Sequence, residues 1–263
     1  MNRAKLYHFW CKLACLVGGR LSSWYKILGE NVLSPREKMH MVYIPIDKKV
    51  ETPTQQILPM DVVEALVDKA HSQAIIHKCM CRVGGRCKDY PHDLACLVLG
   101  SAVQELDPGI GRIVSKDEAK AHIKKALDAN LYPLLSHYER DAMMYSLDLE
   151  RLLIVCFCCP CHCVIRQSGK LSDGIENSFY ENTLPFPSVK ITYSEDKCTG
   201  CQKCVALCPA NAITYQNGKA VFDESKCKTC GQCAHACDAF GVEYEIQDVE
   251  KAIEDLGFTG DIT

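Results

Sequence analysis

Apolar residues in the first 28 positions recur at steps of three or four: Leu6, Trp10, Leu13, Val17, Leu21, Trp24 and Leu28. That period predicts one helix over 4–28 with a single apolar stripe. Lys12 and Arg20 interrupt the run, Gly18 and Gly19 weaken its middle, and it is too short to span a bilayer. The period is lost over 34–59, where Pro35, Pro45, Pro53 and Pro59 punctuate extended backbone. Pro59 then opens a predicted helix through about Ala70, with Val62, Val63, Leu66 and Val67 as its buried face. Ala74 to His77 reads as a short apolar strand. Asp93 predicts a cap for a helix through about Gln104, and Ser115 with Glu118 forms a capping box for a helix ending near Asn130. Leu131–Ser136 and Leu152–Phe157 read as two further strands, so this region predicts a small α/β layer with helices packed on a sheet.

Polar residues with Gly169, Gly174, Pro185 and Pro187 mark 168–188 as a linker. Beyond it lies the one internal repeat, CTGCQKCVALCPANAITY against CKTCGQCAHACDAFGVEY. Each half predicts a loop, a short helix and a strand, the strands being Ile213–Tyr215 and Val242–Glu245. Cys198, Cys201, Cys204 and Cys208 follow the spacing C-x2-C-x2-C-x3-C and precede Pro209; Cys227, Cys230, Cys233 and Cys237 repeat it. Such spacing wraps three thiolates around one [4Fe–4S] cube and sends the fourth to the other cube. The expected sets are therefore Cys198, Cys201, Cys204 and Cys237, and Cys227, Cys230, Cys233 and Cys208. A disulfide scaffold suits small secreted chains, and no secretory signal is read at the start. Zinc favours two separated ligand pairs, which this run fits poorly. The repeat resembles the bacterial-type two-[4Fe–4S] ferredoxins from about Val189 to Ile246, with Asp238 where the second motif usually has Pro.

Eleven more cysteines lie upstream, nine of them between 79 and 163: Cys79, Cys81, Cys87, Cys96, Cys156, Cys158, Cys159, Cys161 and Cys163. They follow two of the predicted strands, and in open α/β sheets sites gather beyond the strands' carboxyl ends. Their density predicts metal or cluster binding, with a further [4Fe–4S] or related cluster favoured over zinc because two clusters downstream need an electron partner. The segments HKCMCRVGGRC, CLVLGSA, GIGRIVSKDEA and VCFCCPCHC resemble a family of anaerobe iron–sulfur proteins that joins an N-terminal C-x-C-R cysteine domain to a C-terminal two-cluster ferredoxin. That resemblance implies iron–sulfur content and names no reaction. Phe157 stands where Asn is common, and His162 where Cys is common. His162 is open between a ligand and a surface residue, since His replaces Cys at some irons. Arg82 is read as a fixed charge beside an anionic cluster, against a simple pair with a carboxylate, and His77 as a strand-end residue. Cys11 and Cys15 are read as packing residues.

The chain is thus expected to be α+β: a basic amphipathic helix (1–33), a cysteine-rich α/β cluster domain (34–167), the linker (168–188), a ferredoxin module of βαβ repeats (189–247) and a C-terminal tail (248–263). Net charge is −3, which makes no case for nucleic acid. Its distribution matters more. Arg3, Lys5, Lys12, Arg20 and Lys26 make a basic head without acids, while the stretch from 195 onward is acidic. The head suits packing on the protein's own body or a partner subunit, or contact between residues 1–28 and a membrane surface. The acidic module suits docking to a redox protein or redox enzyme complex. So many thiols imply a reducing cytoplasm, at most at the inner face of a membrane, and an anaerobic host.

Gly84-Gly85 and Gly109-Ile110-Gly111 lack the context of a dinucleotide fingerprint, and there is no P-loop, G-x-S-x-G or H-E-x-x-H. The expected function is single-electron transfer at low potential between a redox partner and a second cysteine-bound cluster. Rival readings are a reductase with a substrate-binding open iron in the N-terminal domain, where Arg82 and His162 would meet substrate, and an assembly or sensor protein holding labile metal.

Overall fold

The computed structural model describes residues 39–46, 58–163, 165–166 and 183–263. The expected helix over 4–28, Cys11, Cys15 and most of the expected linker lie outside the described residues. The described residues divide into two compact units: 39–41, 67–163, 165–166 and 258–263 form one, and 42–46, 58–66 and 183–257 form the other. Strand β1 (Met39–Tyr43) and helix α1 (Pro59–Lys69) straddle the boundary. Pro59 opens α1 as expected, and Val62, Val63, Leu66 and Val67 are all buried.

In the first unit, the elements after α1 run β2 (Gln73–Ile76), α2 (Met80–Gly84), β3 (Leu97–Leu99), β4 (Gly111–Val114), α3 (Lys116–Asp128), β5 (Tyr132–Tyr138), α4 (Glu139–Tyr145) and β6 (Leu153–Cys158). The strands lie side by side as β4-β2-β3-β6-β5. Every neighbouring pair among these five is antiparallel, with Ile75 opposite Leu97 and Leu97 opposite Val155. Alternation along the strands gives the sheet two buried faces. Ala74, Ile76, Val98 and Ile154 pack with Val103, Ile110 and Tyr145 on one. On the other, Phe157 meets the ring of His122 from α3 edge-on at 5.4 Å. Each Val, Ile or Phe among them taken from water contributes about 1.5–3 kcal/mol.

The capping box forms as its sequence predicts. Glu118 N–H donates to Ser115 Oγ at 3.2 Å, and Ser115 N–H donates back to the Glu118 carboxylate at 3.1 Å. The segment 93–104 differs from expectation. It contains strand β3 and a 3-10 turn at Ser101–Glu105 rather than a helix capped by Asp93. The run Leu97-Val98-Leu99 is 0% exposed at all three positions because strands flank it on both sides. Helix α3 buries only Ala119, His122, Ile123 and Ala126.

The second unit contains β7 (Thr183–Leu184), β8 (Val189–Tyr193), α5 (Lys203–Leu207), β9 (Ile213–Gln216), β10 (Lys219–Phe222), α6 (Gln232–Ala236), β11 (Phe240–Tyr244) and α7 (Val249–Asp255). β8 pairs with β11, and β9 with β10, both antiparallel. Each half thus contributes more strand than the single one expected. The two helices and two strand pairs share one core of Ile191, Ile213, Ala234 and Phe240. Tyr193 packs tilted on Phe240 and Phe222 meets it edge-on, at 4.8 and 5.7 Å between ring centres.

Candidate metal centres

Sheet order gathers the upstream cysteines. β2 and β6 are both antiparallel to β3, so they run in the same direction and end at the same side of the sheet. β3 begins at that side. Cys79 follows β2, Cys96 immediately precedes β3, and Cys156 and Cys158 close β6. Three segments far apart in sequence therefore meet at one sheet end. Backbone bonds hold them there: Ile76 N–H donates to Cys96 O at 3.0 Å, and Cys79 N–H to His92 O at 2.7 Å.

The sulfurs meet in close groups. Cys96 and Cys156 lie 3.4 Å apart, Cys158 and Cys163 3.0 Å, and Cys87 and Cys161 3.6 Å. Cys79 and Cys81 are hydrogen-bonded to each other, and that contact, with Arg82 assisting against burial, brings the Cys79 pKa down to about 6. In the pair Cys156 and Cys96, hydrogen bonding and burial raise Cys156. In the pair Cys158 and Cys163, the shared hydrogen bond raises Cys158 and lowers Cys163. Cys87, Cys159, Cys161 and His162 place their ligand atoms within 4.8 Å of one another.

Arg82 sits inside this array, 0% exposed. Its guanidinium donates to Phe157 O at 2.7 Å and also to Leu94 O, not to a carboxylate. Burial works against its charge, yet the sulfurs of Cys79, Cys96, Cys159 and Cys158 overcome that effect and raise its pKa above the ordinary arginine value. It ties α2 to β6 and sets a permanent positive charge among thiols. His77 stays at the strand end, its Nε2 2.9 Å from Pro108 O.

In the second unit the two repeats fold alike. A one-turn 3-10 helix precedes Cys198 and another precedes Cys227. Gly200 and Thr229 occupy equivalent positions, both with left-handed backbone (φ 71° and 49°). Gly200 has no alternative, because a Cβ there would lie 2.4 Å from Gly218 O. Thr229 is β-branched and strained at such a φ; its Oγ1 accepts from Phe186 N–H at 2.7 Å. Backbone N–H groups point at the sulfurs, Ala220 to Cys198 at 3.5 Å and Thr229 to Cys227 at 3.4 Å.

The halves interleave at their thiols. Cys208, from the first repeat, lines one hollow with Cys227, Cys230 and Cys233 of the second. Burial pushes Cys227 up to about 12, and it raises Cys233 as well. Cys204 is raised by burial and then by the nearness of Cys237, from the second repeat, and Cys198. Cys201 is exposed. Converging sulfurs, N–H donors aimed at them and a hollow between them suit thiolate-held clusters.

Sequence reasoning missed Gln232. It is 1% exposed, lines the same hollow, and neither its amide nitrogen nor its oxygen has a hydrogen-bond partner. Its position between Cys230 and Cys233 is the only signal the sequence offered.

The 4Fe-4S dicluster domain family matches residues 190–238. The match and the cysteines there support an iron–sulfur role with at least one [4Fe–4S] cluster. No curated protein matches the chain. Among the described residues, no helix is long and apolar enough to cross a membrane.

Proposed function

We propose that the protein is a multi-cluster iron–sulfur electron carrier. It passes single low-potential electrons between a redox partner and a second cysteine-held cluster. The observation that carries this reading is the interleaving of the repeats: Cys208 shares a hollow with the second repeat's thiols, and Cys237 lies by Cys204. Two four-thiol sets follow, Cys198, Cys201, Cys204 and Cys237 for one cluster, and Cys227, Cys230, Cys233 and Cys208 for the other.

A bound [4Fe–4S] cluster supplies reversible one-electron exchange, with a potential set by net charge, hydrogen bonds to sulfur and exposure. The chain supplies those settings. Ala220 and Thr229 N–H groups donate to ligand sulfurs, and the buried Gln232 amide offers a further donor at one hollow. Upstream, Arg82 offsets the negative charge of the thiolates grouped around it, where a further cluster is held. Acidic residues of the module steer a partner with a basic docking face. Free thiols in this number belong in a reducing cytoplasm.

Iron and acid-labile sulfide per chain, counted on anaerobically purified protein alongside electron paramagnetic resonance of the reduced form, test the reading. About eight irons and two interacting paramagnets are expected from the module, with more iron if the upstream thiols are loaded. Fewer than about four irons, or no reducible cluster, would overturn it.

A further inference from the structure

The nine upstream thiols do not form one uniform group. We infer that Cys87, Cys159, Cys161 and His162 make a closed tetrahedral site for a single zinc ion, separate from the other six upstream thiols.

Spacing is the first argument. Four ligands around one zinc, with Zn–S of about 2.3 Å and Zn–N of about 2.0–2.1 Å, lie about 3.5–3.8 Å from one another. Here all four ligand atoms fall within 4.8 Å of one another, and Cys87 Sγ is 3.6 Å from Cys161 Sγ. Cys96 with Cys156 and Cys158 with Cys163 are as close, at 3.4 and 3.0 Å, but they are pairs; among the described residues only this corner gathers four ligand atoms, one of them an imidazole nitrogen. This corner has the dimensions of one ion.

The surroundings are the second argument. His162 N–H donates to Cys159 Sγ at 3.3 Å, the backbone contact that orients a thiolate ligand. The His162 ring packs against Gly85, where an added Cβ would lie 2.1 Å from the ring Cδ2. A glycine after α2 is what lets the imidazole reach the thiols. The ring Nδ1 is buried without a hydrogen-bond partner. Three soft thiolates and one imidazole in tetrahedral reach select zinc over the hard cations. Four protein ligands leave no open position, so the ion is structural. Cys79, Cys81, Cys96, Cys156, Cys158 and Cys163 remain for the cluster proposed above.

The test uses the full chain, purified anaerobically from cells supplied with both metals, with zinc and iron counted together. About one zinc per chain is expected. Cys161→Ser and His162→Ala should lose zinc to a chelator more than roughly tenfold faster, while His162→Cys should keep it; iron should be unchanged in all three. Gly85→Ala should lose zinc like His162→Ala. With cobalt(II) in place of zinc, intense visible bands of tetrahedral geometry should appear. They should move in His162→Cys, as the donor set changes from three thiolates and an imidazole to four thiolates. The inference is overturned by wild-type protein without zinc, by Cys161→Ser losing iron instead of zinc, or by cobalt bands indifferent to His162→Cys. Hydrogen exchange over 97–99 and 132–138, strands of the same unit, reports whether each variant folds. Absence of a reducible cluster would sink the electron-transfer reading and leave the zinc count untouched.

Discussion

Replacing Arg82 by Met tests how much of the upstream site one buried cation holds together. Methionine keeps most of the stem's volume and removes the charge and both donors. The two lost bonds are charge-assisted, the one to Phe157 O buried and the one to Leu94 O half-buried. Each is worth about 1.5–3 kcal/mol, so the variant should be less stable by about 3–6 kcal/mol in the region joining α2 to β6. Arg82→Lys keeps the charge but spans only one carbonyl, and should lose about half as much. Hydrogen exchange followed by mass spectrometry reads this locally. At about 1.4 kcal/mol per decade, peptides over 79–87 and 153–158 should exchange roughly a hundredfold or more faster in Arg82→Met. Peptides over 213–222 should not change. A difference of less than about tenfold at α2 and β6 would refute the argument, since two charge-assisted bonds cannot be lost so lightly.

Cys208→Ala should destroy the cluster assigned to Cys227, Cys230 and Cys233 and spare the one beside its own loop; resonance spectra that retain both clusters would defeat the interleaved assignment. Gly200→Ala places a Cβ 2.4 Å from Gly218 O at a φ of 71°. It should cost about 1–3 kcal/mol and make the Cys198-side cluster leave faster under chelation, and equal chelation rates would contradict this. His122 has its pKa lowered chiefly by burial, opposed by its bond to Ala95 O and reinforced by Arg112. A buried neutral imidazole contributes stability that is complete above the ordinary histidine pKa of 6.5 and is lost as pH falls through its depressed folded value. Urea midpoints should therefore fall from pH 7 to pH 5, and His122→Gln, which keeps a donor for Ala95 O, should flatten that slope; parallel slopes would exclude His122 as the source.

The ferredoxin-like loops were legible because their chemistry is local. All the spacing that matters lies within two eleven-residue stretches, and Gly200 and Gly231 mark the left-handed turns. Ser115 and Glu118 announced α3 for the same reason. Leu97–Leu99 was misread because three apolar residues carry no period; only two flanking strands make them a strand, and those come from 73–76 and 153–158. The cysteine density upstream was plain, and so was the idea that its segments meet. Their grouping was not. Cys87 and Cys161 stand 74 residues apart, and their pairing follows from a strand order in which β6 lies beside β3. His162 acquires its place through Gly85, a contact between two loops that no spacing encodes.

The gathering of thiols at one sheet end also sets a timetable for biosynthesis. Cys79 leaves the ribosome 84 positions before Cys163, an interval of about 4–17 s at ordinary elongation rates. Until β6 slots beside β3, Cys79, Cys81, Cys87 and Cys96 lack their companions from 156–163. Maturation of this unit is therefore a race between strand insertion and stray oxidants, and the supply of reductant during those seconds bears on how much of it folds with its thiols reduced.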